Sequence, residues 1–423
     1  MTEEFLHHCW KFRWLPHQQL KTTSGESLQI IKTGEHNFDS GPDFFNAKLK
    51  IGDTEWAGNI EIHLRSSDWE KHKHQTDKAY QNILLHVVYE NDLQLLDHSG
   101  KAVPTLELKT IIDADQYAGY LKLKNSLDWI PCENSIHRAE PFVVSAWLDR
   151  VLVERLEQKS QIILDALQLN NNNWEETFYQ QLARNFGFKI NAVPFELLAK
   201  SLPNAILAKH KNSIHQIEAM LFGNAGMLDK QVDDKYLLTL QNEYQFLKHK
   251  YALKSIEAHL WKFLRLRPAN FPTIRISQFA ALVHRSEHLF SKILHTPDLG
   301  DLQQLLNVSA SDYWRSHYSM QKPSEYKNKT LGKTAIDILI INTVVPFLFV
   351  YGKQKKQAEF IDRALAFLEQ TPAEKNNISM HFSALGLNIK AAAQSQAVLQ
   401  LKQKYCSPKS CLHCAIGNNL LKK

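Results

Sequence analysis

The sequence lacks the features of an exported or membrane-spanning protein. Its first residues include Glu3 and Glu4, where a signal peptide carries basic residues, and no uninterrupted apolar segment with a small-residue cleavage site follows. The most apolar stretch, residues 335–352, contains Asp337 and Pro346, so we expect a buried helix rather than a membrane span. We therefore predict a cytoplasmic protein that has no membrane partner.

Two motifs that are common in enzymes are also missing. The residues LGKT at 331–334 end like a phosphate-binding loop, but such a loop needs a glycine five residues before Gly332, where this sequence has Lys327. No G-x-S-x-G sequence is present, which argues against a hydrolase with a serine at a nucleophile elbow. The sequence therefore does not support a P-loop nucleotidase or a serine hydrolase.

Cysteine is scarce, and neither sign of charge dominates. Five cysteines, an odd number without an export signal, favour reduced thiols or metal ligands over a disulfide framework. Lysine and arginine exceed aspartate and glutamate by 50 to 44, and the resulting charge of +6 permits an acidic partner such as nucleic acid without requiring one. The 423 residues suffice for at least two domains, each with its own core.

The pattern of apolar residues changes near residue 130. Before it, short β-branched and aromatic runs alternate with turn residues; after it, apolar residues recur three or four apart, as in helices. The first part predicts a helix at 3–12, strands at 27–34, 43–51 and 55–64, a polar helix at 68–80, a strand at 82–91 and room for another at 104–109. The second part predicts helices at 142–168, 174–187, 194–202, 213–223, 236–251, 275–294 and 358–370. We predict an α+β protein with an αβββαβ domain at 1–130, a helical domain at 131–400 and a cysteine-rich tail at 401–423 packed on the body.

The predicted strand at NIEIHL, residues 59–64, combines an apolar face with a polar one. The two-residue period of a strand places the isoleucines on one face and Asn59, Glu61 and His63 on the other. A hairpin between this strand and the preceding one would bring the carboxylate of Asp43 beside Glu61. Carboxylates are suitable ligands for Mg²⁺ or Mn²⁺, and such an ion can activate water against a phosphodiester.

On these residues and this element order, the first 110 or so residues resemble the PD-(D/E)XK nuclease superfamily, which has a restriction-endonuclease-like fold. The resemblance implies a Mg²⁺- or Mn²⁺-dependent nuclease acting on DNA or RNA, with Asp43 and Glu61 as metal ligands. The superfamily usually has a lysine where this sequence has His63. His63, or His74 on the following helix, would then orient or deprotonate water, and Glu35 is a further candidate acid.

Other interpretations of the same residues stay open. Asp43 could cap a turn while Glu61 and His63 lie on a solvated strand face, and a nuclease fold without activity could serve as a scaffold that binds nucleic acid or protein. A third alternative is a zinc hydrolase, which would require the side chains of His72, His74 and His86 to converge.

Two further segments are candidates for contact with nucleic acid. Asp77 and Tyr80 on the polar helix loosely resemble the Gln and Tyr pair that touches nucleic acid in some nucleases of the superfamily. Arg265, Arg267 and Arg275 alternate with aromatic residues, and arginines bind phosphates while aromatic rings stack on bases. The alternatives are a solvated amphipathic helix for the first segment and solvated or helix-capping arginines for the second.

Three cysteines lie close together near the end of the chain. Cys406, Cys411 and Cys414 form a C-x4-C-x2-C pattern, in which thiolates can bind one ion or cluster. Cys132 or Cys9 could be the fourth ligand, or His413 if the metal is zinc. Some PD-(D/E)XK nucleases bind an iron-sulfur cluster through one early and three late cysteines, which favours a 4Fe-4S cluster over zinc here, although the late spacing differs. Redox thiols are the remaining alternative.

The whole chain is also identified as a member of an uncharacterised bacterial family that carries only a placeholder name for a domain of unknown function. The residues that carry this resemblance are GPDF at 41–44, EIHLRSSDW at 61–69, LHVVYEND at 85–92 and the terminal cysteine pattern. The family supplies no known activity, and protein partners cannot be named from it.

Overall fold

The chain folds into two compact units. The computed structural model describes residues 1–15, 20–37, 39–97, 100–229, 233–286 and 288–422. The first unit comprises Met1–Trp147 together with Lys402–Lys423, and the second comprises Leu148–Leu401. The first unit holds a mixed β-sheet and the second is mostly helical, which confirms the predicted α+β class.

The first unit is built around a six-stranded sheet. Its strands are β1 (Leu28–Lys32), β2 (Glu35–His36), β3 (Phe44–Ile51), β4 (Thr54–Arg65), β5 (Ile83–Glu90) and β6 (Thr105–Glu107). Its helices are α1 (Glu3–Lys11), α2 (Asp68–Lys71), α3 (Ala114–Asn125), the start of Pro141–Leu169, and Ala415–Leu421. Single helical turns lie at His74–Thr76, Lys78–Tyr80, Ile136–Arg138, Lys402–Cys406 and Cys411–His413.

The strands are ordered β1-β3-β4-β5-β6 across the sheet, with β2 paired to β3. Strands β3 and β4 form an antiparallel hairpin, whereas β4–β5 and β5–β6 are parallel. Gly52 has a φ of 60° at the first position of the two-residue hairpin loop, where glycine is favoured because it has no side chain. Ile60 and Ile62 on β4 are at most 1% exposed, so one face of this strand is core.

The predicted polar helix over Asp68–Tyr80 is wrong. Helix α2 ends after four residues, and two single turns of 3₁₀-helix follow it. Lys73 separates α2 from the first of these turns with a φ of 61°, in the left-handed region that a continuous helix cannot contain. This interruption determines where the histidines of the segment point.

The second unit consists of packed helices and one short hairpin. Its helices are the remainder of Pro141–Leu169, then Trp174–Phe186, Ala192–Ser201, Asn204–Ala208, Ile214–Asn224, Lys235–Tyr251, Pro272–Arg285, Leu289–Leu294, Leu299–Leu306, Asp312–Arg315, Lys333–Leu339, Val345–Lys355, Ala358–Gln370, Asn377–Ala384 and Ala392–Leu401. A π-helical turn, Ile340–Val344, joins Lys333–Leu339 to Val345–Lys355, and the hairpin pairs His317–Ser319 with Lys322–Pro323. The helix predicted at 275–294 is therefore two helices.

One helical stretch of the described residues is long and apolar enough to cross a membrane. It runs from Lys333 to Lys355, and 78% of its most apolar window is buried inside the structure. A core helix of this length and composition has the same properties, so the stretch is weak evidence for a membrane span. The predicted burial of this helix is confirmed.

Candidate metal centre

Asp43 and Glu61 lie opposite each other across the β3–β4 hairpin. Phe44 pairs with Ile60, a register shifted by one residue from the rest of the hairpin because a bulge lies between. Asn46 occupies this bulge with a φ of 55°. The bulge thus places the residue before β3 against Glu61, in keeping with the tendency of bulges to redirect side chains near functional sites.

Each of the two carboxylates accepts a hydrogen bond from the other's strand. The backbone N–H of Ile62 donates to Asp43 Oδ2 at 2.8 Å, and the backbone N–H of Asp43 donates to Glu61 Oε2 at 3.2 Å. The side chain of Glu61 is only 6% exposed and that of Asp43 is 23% exposed. Glu61 therefore does not lie on a solvated strand face. Its other oxygen, Oε1, faces His63 and His74.

Three histidines converge beside Glu61. In a continuous helix the side chains of His72 and His74 would point about 200° apart, but the interruption at Lys73 turns both toward His63. His63 Nε2 lies 3.2 Å from His72 Nδ1, and one ligand nitrogen of each of the three rings lies within 4.8 Å of the other two. Three imidazoles at this spacing can bind one metal ion.

The carboxylate of Glu61 completes this group. Its Oε1 lies 3.4 Å from His63 Nε2 and 3.3 Å from His74 Nε2. The side chains of His63 and His74 are 2% and 12% exposed, so the group is largely shielded from water, while His72 lies at its exposed edge. We refer to His63, His72, His74 and Glu61 as the histidine–glutamate cluster.

His86 orients His63 from behind. Strand β5 places His86 in register with Glu61, and its Nε2 lies 2.9 Å from His63 Nδ1. If His63 binds a metal through Nε2, its Nδ1 carries the proton and donates to His86. The predicted zinc group of His72, His74 and His86 is therefore wrong in one member. His63 is the third potential ligand, and His86 instead forms a hydrogen bond with His63.

The electrostatics of the cluster suit a cation. Burial, reinforced by Asp43, raises the pKa of Glu61 to about 9. Burial, together with the neighbouring histidines, lowers the pKa of His63 to about 4 and also lowers the pKa of His74. The lowered pKa values of His63 and His74 favour the neutral imidazole that binds metals, and a bound cation would favour the ionised carboxylate of Glu61.

Helix α1 adds two groups that the sequence reasoning missed. His7 Nε2 lies 3.3 Å from Asp43 Oδ2, and Glu3, one helical turn earlier, is close enough that Asp43 and His7 influence its pKa, which burial raises. A glutamate and a histidine four residues apart lie on one face of a helix, so their spacing in the sequence could have identified this pair. Both residues also line a cavity of about 290 Å³ that extends to His36.

Aromatic rings connect the cluster to a larger cavity. Tyr80 stacks on His74 with ring centroids 3.8 Å apart, and Trp69 contacts the same histidine edge-on at 5.4 Å. Both rings line a cavity of about 920 Å³, which also includes Trp56, a side chain that is 48% exposed. Trp69 and Tyr80 thus contact both this cavity and His74 of the histidine–glutamate cluster.

Two other candidates on the first unit lie outside the cluster. Glu35 is 70% exposed and forms an ion pair with Lys32 at 3.0 Å. Asp77 is exposed and caps the following turn, since its carboxylate accepts from the backbone N–H of Ala79 at 2.9 Å. We therefore leave Glu35 out of the site, and Asp77 has a local structural role.

The three arginines considered for nucleic-acid binding belong to the second unit. Arg275 is 7% exposed; its guanidinium donates to Asn270 at 2.6 Å and lies 4.6 Å from the ring centre of Phe188. It cannot form part of an exposed binding surface, so that prediction is wrong for Arg275. Arg265 and Arg267 are exposed.

All five cysteines belong to the first unit. Cys132 and the three C-terminal cysteines are all buried, and burial and mutual repulsion raise the pKa of Cys132 to about 12, with Cys414 and Cys411 contributing. Burial alone raises the pKa of Cys9 to about 12, and no other cysteine contributes. Cys9 is thus set apart from the rest.

The donor atoms of the histidine–glutamate cluster favour a particular class of metal. Three imidazole nitrogens suit zinc or a similar transition metal, whereas Mg²⁺ prefers oxygen ligands. The carboxylates of Asp43 and Glu61 by themselves offer only oxygen ligands. Two of these oxygens, Asp43 Oδ2 and Glu61 Oε2, already accept backbone hydrogen bonds. The residues of the cluster fit zinc better than the Mg²⁺ or Mn²⁺ that the acidic pair predicted.

Substitution of Lys73 tests whether the interruption of the helix creates the cluster. A left-handed residue other than glycine costs about 1–2 kcal/mol, so Lys73→Gly should raise the free energy of unfolding by about 1 kcal/mol and keep zinc affinity. Lys73→Val, which removes the same charge but adds a β-branched side chain, should destabilise the fold and weaken zinc binding. Thermal melts and zinc titrations of both variants check this. Equal zinc affinity in the two would show that the backbone at Lys73 does not position the ligands.

Comparison with known proteins identifies a family but no activity. A family model described as "Protein of unknown function (DUF2851)" matches residues 3–377. The matched region contains the histidine–glutamate cluster and Cys132, whereas the three C-terminal cysteines lie beyond it. No curated protein and no solved structure matches the chain.

Proposed function

We propose that this protein is a metal-dependent hydrolase that cleaves phosphodiester bonds in nucleic acid. The chain belongs to the family of unknown function described above, which confirms the predicted membership. Because that family has no known activity, the activity is inferred from the residues of the site. The observation that carries this proposal is the convergence of three imidazoles within 4.8 Å, with Glu61 Oε1 at 3.3–3.4 Å from two of them. A set of this kind, of which only His72 is exposed, is typical of a metal centre with a neighbouring base.

His63, His72 and His74 would hold the ion, and zinc is the metal that their nitrogens favour. When bound, such an ion supplies Lewis acidity toward a phosphoryl oxygen and makes water a stronger nucleophile at neutral pH. Three protein ligands leave a coordination position open, which distinguishes catalytic from structural zinc sites.

Glu61 is the residue we assign to proton transfer. Its Oε1 lies 3.4 Å from Nε2 of His63 and 3.3 Å from Nε2 of His74. A reacting water on the ion would lie close to these atoms and therefore within reach of Oε1. The backbone N–H of Asp43 holds the other oxygen, Oε2, and so fixes the orientation of the carboxylate. Asp43 and His86 are positioning residues in this scheme, the first for Glu61 and the second for His63.

Two features support a nucleic-acid substrate. The order of elements, with the β3–β4 hairpin followed by a parallel strand, is the order on which the resemblance to PD-(D/E)XK nucleases rests. His63, at the position where that superfamily usually has a lysine, would bind the metal ion here. The cavity beside the cluster offers the rings of Trp56 and Tyr80, and aromatic surfaces of this kind stack on unpaired bases. Single-stranded DNA or RNA is therefore the substrate that we place there.

Hydrolysis assays test this function. The protein, stripped with a chelator and reloaded with Zn²⁺, Mn²⁺ or Mg²⁺, is incubated with single- and double-stranded DNA and RNA carrying an end label. We expect cleavage of single strands with Zn²⁺, weaker cleavage with Mn²⁺, and none in the chelated protein. Tight zinc binding without cleavage of any of the four substrates would overturn the proposal and favour a non-catalytic scaffold.

A further inference from the structure

The second unit carries a group of exposed aliphatic side chains. Leu264 is 83% exposed, and Val193, Ile190 and Leu197 are 56%, 43% and 39% exposed. The last three recur three and four residues apart at the start of the helix Ala192–Ser201, so they form one stripe on its outer side. A single exposed aliphatic side chain is common, but a contiguous group marks a surface that meets another molecule or a membrane.

Hydrogen bonds hold the segment of Leu264 beside this stripe. The Nδ2 of Asn191 donates to the carbonyl of Lys262 at 2.9 Å, and the backbone N–H of Lys262 donates to Oδ1 of the same asparagine, also at 2.9 Å. The rings of Phe195 and Trp261 pack edge-on with their centroids 5.1 Å apart. The residues that lead to Leu264 are therefore fixed against those that carry the stripe, and the aliphatic side chains belong to one patch.

Leu264 lies at the tip of a turn. The backbone N–H of Leu266 donates to the carbonyl of Phe263 at 3.4 Å, which makes Leu264 and Arg265 the central residues of this turn. Arg265 has a φ of 62°, in the left-handed region that tight turns use. A leucine at such a tip projects from the protein surface rather than lining a groove.

The same two segments are positively charged. They carry four exposed cations, namely Lys189, Lys262, Arg265 and Arg267. Residues 186–195 and 258–273 contain no aspartate or glutamate. Glu196, the next residue of the helix, is already paired with Arg184 and Lys200. The aliphatic patch is thus surrounded by uncompensated positive charge, which complements an anionic partner.

The side chains present favour anionic lipid over nucleic acid or protein. Bases stack on exposed aromatic rings, but Phe263 and Phe271 pack edge-on against each other with centroids 5.3 Å apart, and both are only partly exposed. Protein interfaces are depleted in lysine, which two of the four cations are. Aliphatic side chains that enter the acyl region, next to lysines and arginines that bind headgroups, are instead typical of attachment to a membrane surface.

We propose that the second unit binds the surface of membranes that contain anionic lipids. The binding region, the basic–apolar surface, consists of Lys189, Ile190, Val193, Leu197, Lys262, Leu264, Arg265 and Arg267. Leu264 would enter the boundary between headgroups and acyl chains while the cations bind lipid phosphates. The sequence predicted no membrane partner because it lacks a spanning segment, but a protein bound at the membrane surface needs none. The proposal does not depend on the hydrolase activity, whose residues belong to the first unit.

Sedimentation with lipid vesicles tests the proposal on the full-length protein. We expect the parent to sediment with vesicles of phosphatidylcholine that contain about 30% phosphatidylglycerol, and not with vesicles of phosphatidylcholine alone, since anionic headgroups attract the cations. Binding should weaken between about 0.1 M and about 1 M salt, because salt screens charges at the membrane surface. Circular dichroism of each sample establishes that the protein is folded.

Two variants separate the apolar from the electrostatic contribution. At the lower salt concentration, Leu264→Ser should weaken binding at least about tenfold, because serine gains nothing from entry into the acyl region. Arg265→Ala combined with Arg267→Ala should weaken it about 25-fold, since each cation near an anionic membrane strengthens binding about fivefold. This second loss should shrink at the higher salt concentration, whereas the first should persist.

Matched controls lie elsewhere on the second unit. Leu169 is 82% exposed, and Lys322 and Lys327 are exposed cations, so Leu169→Ser and the double variant Lys322→Ala with Lys327→Ala should bind like the parent. A folded parent that does not sediment with the anionic vesicles would overturn the proposal. Equal binding by the parent and by both variants of the basic–apolar surface would overturn it as well. If the parent ignored the vesicles and the arginine variant lost affinity for labelled single-stranded DNA in the presence of a chelator, the surface would bind nucleic acid instead.

Discussion

The Glu61→Gln variant is expected to bind zinc but to hydrolyse nucleic acid about 10²–10⁴-fold more slowly than the parent, the usual contribution of a general base. Glutamine keeps the shape of the side chain, and its amide oxygen can still accept from the backbone N–H of Asp43. It cannot take a proton from water. The measurement is kcat with saturating zinc on the substrate that the parent cleaves fastest.

Glu35→Gln is the control for this result. Glu35 is also a sequence-predicted acid of the first unit, but it is exposed and paired with Lys32. Its substitution should leave kcat unchanged. If Glu61→Gln retained the activity of the parent, the carboxylate of Glu61 could not be the base, and the assignment of proton transfer would have to be abandoned.

Removal of a ligand should have an equally large effect on metal affinity. Loss of a residue that merely supports a ligand weakens metal binding about 10–100-fold, so His63→Ala, which deletes a ligand, should weaken zinc binding by more than about 100-fold. Competition against a zinc-binding dye measures this affinity at constant pH. Circular dichroism of the same sample establishes whether the variant is folded.

His137→Ala controls for the loss of any histidine. His137 is exposed, belongs to the same unit and lies outside the cluster, so its substitution should leave zinc affinity unchanged. Zinc binding by a folded His63→Ala variant at the parental affinity would place the ion elsewhere.

The approach of Asp43 toward Glu61 could be predicted from sequence because a hairpin follows from simple rules, whereas the pairing of these two residues depends on the bulge at Asn46. Alternation along β4 assigns Glu61 and His63 to one face, and a short loop with Gly52 makes a hairpin that brings Asp43 alongside. The α+β class followed from the change of periodicity near residue 130 in the same way.

The histidine–glutamate cluster could not be predicted, since it depends on local exceptions to those rules. The sequence from Asp68 to Tyr80 has a helical pattern, and nothing in it shows that Lys73 adopts a left-handed conformation. The bulge at Asn46 likewise shifts the register of the hairpin by one residue without a glycine to signal it. Tertiary contacts determine both features.

The cysteines and Arg275 show a second limit of prediction from sequence, which is that packing partners and burial depend on the fold. Choosing between Cys132 and Cys9 required knowledge of which segment the C-terminal residues pack against. Arg275 has the composition of a binding residue, but its contacts with Asn270 and Phe188 place it inside the second unit. Sequence patterns identify the kind of side chain available, whereas burial depends on the neighbours that the fold supplies.

The most direct test of the account is anomalous diffraction at the zinc absorption edge from crystals grown with one equivalent of zinc. We predict a peak about 2.0–2.1 Å from one nitrogen of each of His63, His72 and His74, with Glu61 adjacent to it. A peak bound by other residues, or none at these histidines in a crystal with full zinc content, would contradict the central claim.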